Sequence, residues 1–173
     1  MVAIDELKLL ESLNLVGDKA TGRLRIEIPP NANIAADTVA RHARGPRAGA
    51  TALVFEDEVG AVTRMTFAAL DEAANSAAGN LLRLGVGRGD RVALHAGQRV
   101  ESAITHLAAY KIGAIVVTVS QLYGPDTVRH ILQDSGACVL ITEERAWAPL
   151  RHLRTEPSGL REVLVVTAGA LGD

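Results

Sequence analysis

Two loops hold residue types and positions at which a nucleotide or another ligand could be bound. The first is Leu84-Gly85-Val86-Gly87-Arg88-Gly89-Asp90, with glycines at alternate positions. A dinucleotide-binding loop of similar composition leaves a strand and opens a helix, so that the helix N-terminus meets the pyrophosphate. This one leaves a helical pattern and enters a strand pattern, so it reads as a helix stop and a tight turn. The second loop, Ser120-Gln121-Leu122-Tyr123-Gly124-Pro125-Asp126, follows an apolar strand and ends with a proline suited to the first turn of a helix. In open α/β sheets ligands collect at such strand ends, beside helix N-termini. The same loop also serves as an ordinary strand-to-helix connection.

Other candidates are weaker. His42, His95, His106, His130 and His152 show no metal-ligand spacing, and none has a partner expected on its own face. No serine is flanked by the glycines of a nucleophile elbow. Cys138 is the only cysteine, which excludes an internal disulfide and a thiolate zinc site. Its apolar surroundings, Ala137 to Ile141, mark it as a buried structural thiol.

The elements that would position the second loop begin at Thr51. The runs Thr51 to Phe55 and Ala61 to Met65, joined by the acidic turn Glu56 to Gly60, predict an antiparallel hairpin. Thr66 then caps a helix with Leu70, Ala73 or Ala74, Ala77, Leu81 and Leu84 inward and Asp71, Glu72, Asn75, Asn80 and Arg83 outward. Strands are predicted at Arg91 to Ala96, Ala114 to Val119, Ala137 to Thr142 and Glu162 to Thr167. Helices alternate with them at Val100 to Ile112, from Pro125 to Gly136, and near Glu143 to Leu153, where Pro149 is expected to kink or split the last. This order implies an α/β fold, a doubly wound parallel sheet flanked by helices with right-handed crossovers.

Residues 1–48 read as an N-terminal arm and 49–173 as the α/β layer. Within the arm, Ala3 to Leu13 has a narrow apolar stripe and Arg23 to Ile28 alternates as a short strand. With 173 residues, 48% hydrophobic and 22% charged, the chain suits one compact core. A net charge of -2 with scattered arginines argues against a nucleic-acid partner. No apolar run reaches the roughly 20 residues of a membrane span, and Asp5, Glu6, Lys8 and Glu11 interrupt the opening stretch. The expected location is cytoplasmic.

Six short stretches occur in an order that carries further meaning: Met65-Thr66-Phe67-Ala68-Ala69-Leu70, Asn75-Ser76-Ala77-Ala78-Gly79-Asn80-Leu81-Leu82, Gly85 through Ala93, Tyr110-Lys111-Ile112-Gly113-Ala114, Gly124-Pro125-Asp126 and Asp134-Ser135-Gly136-Ala137. Together they resemble the N-terminal subdomain of AMP-forming acyl-CoA synthetases over residues 30–167. The loop from Gly113 to Pro125 is most similar to acetyl- and medium-chain acyl-CoA synthetases. The resemblance implies the use of ATP, Mg²⁺ and CoA in intact relatives. It places Ser120, Gln121 and Leu122 near the acyl and CoA channel. The family's Ser/Thr/Gly-rich loop ending in Pro-Lys-Gly does not occur here, and Lys8, Lys19 and Lys111 lie in unrelated contexts. No catalytic residue and no metal ligand is therefore assigned to this chain, and it is expected to be inactive alone.

Two departures from the family pattern stand out. Ala69 replaces a common Glu, which removes the reciprocal half of the cap at Thr66. Ala96-Gly97-Gln98-Arg99 replaces a Leu-Pro-Asn type of helix entry. The expected partner is the remainder of a synthetase or a companion chain, with oligomers forming through exposed sheet surface. The alternative is a non-catalytic module that docks a synthetase or holds CoA. A nicotinamide oxidoreductase is disfavoured by the glycine context.

Overall fold

The structure is a computed structural model that describes residues 15–18, 21, 23–26, 28–154 and 159–167. The helix expected at Ala3 to Leu13 lies outside the described residues. The chain forms two compact units, residues 1–32 and 33–173. In the first, β1 (Leu15–Asp18) pairs antiparallel with β2 (Arg23–Ile26), Leu15 opposite Ile26 and Asp18 opposite Arg23. The strand at Arg23 was expected, whereas its partner at Leu15 was not.

The second unit opens with a helical stretch, Ala36–Ala40 running into Arg41–Ala43 (α1). Asn33 sets its position: Oδ1 accepts from the Ala35 and Ala36 N–H groups, at 3.1 Å each, while Nδ2 donates to the Tyr110 carbonyl at 2.7 Å. One amide thus satisfies free donors at the start of one helix and a free acceptor at the end of another.

The hairpin β3 (Thr51–Glu56) and β4 (Val62–Thr66) follows as expected, with Asp57 Oδ1 accepting from Val59 and Ala61 N–H to close the turn. Thr66 is the N-cap of α2 (Phe67–Arg83), its Oγ1 accepting from the Ala69 N–H at 3.1 Å. Gly85 and Gly89, at φ of 76° and 82°, turn the chain from α2 into β5 (Arg91–His95), and Asp90 Oδ2 accepts from the Gly87 N–H at 3.0 Å. The glycine-rich segment therefore leaves a helix and enters a strand, the geometry of a turn rather than a phosphate loop.

Beyond it come α3 (Val100–Lys111), β6 (Ile115–Thr118), α4 (Pro125–Ser135), β7 (Val139–Glu143), α5 (Glu144–Trp147, tightening to a 3₁₀ stretch at Ala148–Arg154) and β8 (Glu162–Val166). The tightening begins one residue before Pro149, whose ring cannot continue an α-helix. The four strands form one parallel sheet in the order β6-β5-β7-β8.

Alternation along β5 divides the core. Val92 and Leu94 meet Ala78, Leu81, Ala108 and Ala109 of α2 and α3 on one face. Ala93 meets Val128, Leu132, Trp147 and Leu150 of α4 and α5 on the other. A third cluster, Leu70, Val100 and Ile104, packs against Leu53, Phe55 and Met65 of the hairpin. Arg91 fastens the C-terminus of α4 to the sheet, donating to the carbonyls of Ser135 at 2.7 Å and Gly136 at 3.0 Å.

One expectation is corrected. Asp71 does not face out: it is buried, and its Oδ1 accepts from Lys111 Nζ at 2.6 Å across the α2–α3 interface. Helical periodicity places Asp71 at the edge of the apolar stripe, and a cation distant in sequence decides its fate. Removing one member of a buried pair leaves an uncompensated charge, whereas replacing both by apolar groups is far milder. Chemical denaturation should show Asp71→Ala costing about 3 kcal/mol, with the double change Asp71→Leu and Lys111→Met costing less than half of that.

Candidate functional site

β5 hands the chain through α3 to β6 on one side, and β6 returns it through α4 to β7 on the other, with the two helices on opposite faces. The connections after β5 and β7 therefore diverge, which makes the space outside their C-terminal ends a topological switch point, where ligands bind in open α/β sheets. A crevice of about 520 Å³ opens there, lined by Phe55 to Val59 of the hairpin turn, Gly97, Gln98 and Arg99 after β5, Gln121 after β6, and Glu143 of β7.

Gly97 is the junction. Its N–H donates to Glu143 Oε1 at 2.6 Å, and its carbonyl accepts from Ser102 Oγ at 2.8 Å, tying the loop after β5 to β7 and to the first turn of α3. A Cβ at this position would come within 3.1 Å of Gln121 Oε1 and 3.4 Å of Glu143 Oε1. The proline typical of the resembled family would also lack the N–H that Glu143 uses. Arg99 completes the cluster, bonding Glu101 at 3.2 Å and standing 3.8 Å from Glu143. Its bond to Glu101, aided by the charges of Glu101 and Glu143, holds its proton more firmly than usual.

The predicted loop residues divide in their roles. Ser120 Oγ is engaged in its own turn, accepting from the Leu122 N–H at 3.2 Å. Gln121 lines the crevice against Gly97, and Leu122 is 94% exposed at the loop tip. Gly97, Arg99, Glu143 and the hairpin turn were not singled out from sequence. The signal for the first two was present in the departure at Ala96 to Arg99.

The histidines are also less isolated than expected. His106 Nδ1 lies 3.1 Å from Tyr110 Oη one helical turn on. His95, last residue of β5 and 3% exposed, places Nδ1 3.3 Å from Thr142 Oγ1, while Nε2 has no hydrogen-bond partner among the described residues. Burial holds the His95 pKa below its ordinary 6.5, opposed by the Ser120 backbone and the charge of Glu143.

The family model described as AMP-binding enzyme matches residues 39–171. The chain belongs to this family. The acetyl-coenzyme A synthetase of Gemmatimonas aurantiaca is 38% identical over 112 residues, which are 65% of this chain and 17% of that protein. A crotonobetaine/carnitine–CoA ligase of Salmonella typhimurium is 36% identical over 109 residues, 62% of this chain and 21% of that one. Among solved structures, the anthranilate CoA ligase AuaEII in complex with anthranoyl-AMP superposes with a TM-score of 0.72 at 29% identity, over 80% of this chain and 26% of that chain. The N-terminal domain of FACL13 from Mycobacterium tuberculosis gives 0.67 at 31% identity, over 78% of this chain and 33% of the domain. The matched stretch spans under a quarter of the length of the curated relatives named, at 17% and 21%.

Within this family member, the buried imidazole makes stability depend on pH. His95 takes up its proton less readily folded than unfolded, so its neutral form favours the native state above about pH 6.5, and that contribution is lost as pH falls below it. Urea unfolding of the chain between pH 7.5 and 5 should show stability falling with pH, and His95→Gln should flatten the decline.

Proposed function

We propose that this chain is the N-terminal part of an AMP-forming acid:CoA ligase, that Ser120, Gln121 and Leu122 contribute to the wall of its acyl and CoA channel, and that the chain alone does not adenylate an acid. In the complete reaction a carboxylate oxygen attacks the α-phosphate of ATP and releases pyrophosphate, after which the CoA thiol displaces AMP. That chemistry depends on neutralising phosphate charge with a lysine, a metal ion and oriented donors.

The observation that carries the reading is the charge of the switch-point crevice. Glu56, Asp57, Glu58 and Glu143 line it, with Arg99 as the opposing cation and already engaged by Glu101 and Glu143. A carboxylate about 4 Å from a phosphate charge opposes binding by about 1 kcal/mol in water and about 4 kcal/mol at an effective dielectric near 20. Lys111, the lysine among the described residues, is occupied by Asp71. The residues present thus do not fit Mg²⁺-ATP, and no step through it is assigned to them.

The loop after β6 suits a different part of the reactants. Leu122 and Tyr123, 94% and 48% exposed, offer apolar surface, and the Gln121 carboxamide offers a donor and an acceptor. These match an acyl chain or the amide-bearing arm of CoA, which need contact and orientation rather than charge neutralisation. The cytoplasm, the expected location, would supply both nucleotides.

Homogeneous chain incubated with ATP, radiolabelled pyrophosphate and acetate or a medium-chain acid should show no acid-dependent exchange above a mock purification. Exchange above that control would contradict the reading. Saturable CoA binding without exchange would favour a stand-alone binding module.

A further inference from the structure

His95 is a buried titratable side chain that the ligase reading leaves unused. It ends β5 between the ends of β6 and β7. On the β7 side it is paired with Thr142, whose fully buried Oγ1 lies 3.3 Å from Nδ1. On the β6 side the Val119 N–H donates to the Leu94 carbonyl at 2.8 Å, which brings the following residue, Ser120, beside the ring. Nε2 is sealed from water and has no hydrogen-bond partner among the described residues. A buried polar atom left unpaired is uncommon and calls for a physical cause.

The Thr142 hydroxyl decides which nitrogen carries the proton. If Nδ1 carried it, the hydroxyl hydrogen and the Nε2 lone pair would both be buried without partners. If Nε2 carries it, Thr142 donates to Nδ1 and a single N–H is left to place. The Ser120 backbone favours the protonated ring, as a carbonyl facing a ring N–H does, and the charge of Glu143 acts in the same sense. That carbonyl already accepts the Tyr123 N–H at 3.2 Å, while Ser120 Oγ accepts the Leu122 N–H at 3.2 Å. A carbonyl oxygen has two lone pairs and can take a second donor. The turn these bonds close carries Gln121, which stands against Gly97 in the crevice.

We propose that His95 is a positioning residue for the turn at residues 120–123: its Nε2–H, selected by the Thr142 hydroxyl, bonds the Ser120 carbonyl and holds Gln121 at the crevice. The meaning of the turn as part of a channel wall rests on the ligase reading, whereas its attachment to His95 does not.

Nuclear magnetic resonance of the full chain at pH 7.5 tests the attachment. Long-range ¹H–¹⁵N correlation of the His95 ring should show the Nε2–H tautomer. Water exchange of the Leu122 and Tyr123 amides should quicken by about fivefold or more in Thr142→Val, which removes the hydroxyl at similar shape, and in His95→Leu, which removes both ring nitrogens. His95→Gln, whose carboxamide still donates, should recover most of the difference. The Val119 amide, bonded to Leu94, reports whether the sheet is intact in each variant. Thr142→Val carries the test if His95→Leu does not fold, and the tautomer is read on the unaltered chain. An Nδ1–H tautomer, or turn amides that exchange at the unaltered rate in a folded Thr142→Val or His95→Leu, overturns the proposal and leaves the ligase reading standing. Acid-dependent pyrophosphate exchange by the chain would change the meaning of the turn without moving these signals.

Discussion

The position of β5 between β6 and β7 constrains everything else in the α/β unit. Its neighbours are parallel to it and are reached by crossovers on opposite faces of the sheet. Right-handed connections permit this only if the chain leaves β5 and β7 in different directions. The divergence opens the crevice, and it also explains the core. A strand covered on both faces must be apolar on both, and β5 is: Val92 and Leu94 point one way and Ala93 the other, with only its last residue, His95, polar and buried. Arg91 at the opposite end holds the returning helix by its carbonyls, so the strand that creates the switch point also anchors α4.

At the open end of that strand one carboxylate organises three connections. Glu143 takes the Gly97 N–H and stands near Arg99, while Gln121 leans on the same glycine. Three strand ends are thereby drawn together without a lysine or a free guanidinium. The hairpin turn contributes further carboxylates to the rim. The result is a crevice at a topological switch point whose walls are predominantly acidic.

Much of this was legible in sequence because its signals are local. Four apolar strands spaced by helical periodicities, Thr66 before a helix, Gly113 and Gly136 after helices, and Pro149 inside one each act within a few residues. The features that escaped are pairwise and distant. Asp71 is held by Lys111, Asn33 by the end of α3, and Gly97 by Glu143; none of these partners is visible from either residue alone. β1 escaped because Leu15–Asp18 is a four-residue stretch whose strand character depends on pairing with Arg23–Ile26. The pairing of His106 with Tyr110 is different, since an i,i+4 spacing was available to be read. Ser120, Gln121 and Leu122 came from the family resemblance, and the geometry adds that only Gln121 of the three lines the crevice.

The central proposal is electrostatic: the crevice has acidic walls and an engaged arginine, and from this we infer that it does not hold a triphosphate. Isothermal titration of the homogeneous chain with Mg²⁺-ATP tests it most directly. The account predicts no saturable heat beyond dilution up to millimolar nucleotide. A one-to-one isotherm weakened by a substitution at Arg99 or Gly97 would contradict it.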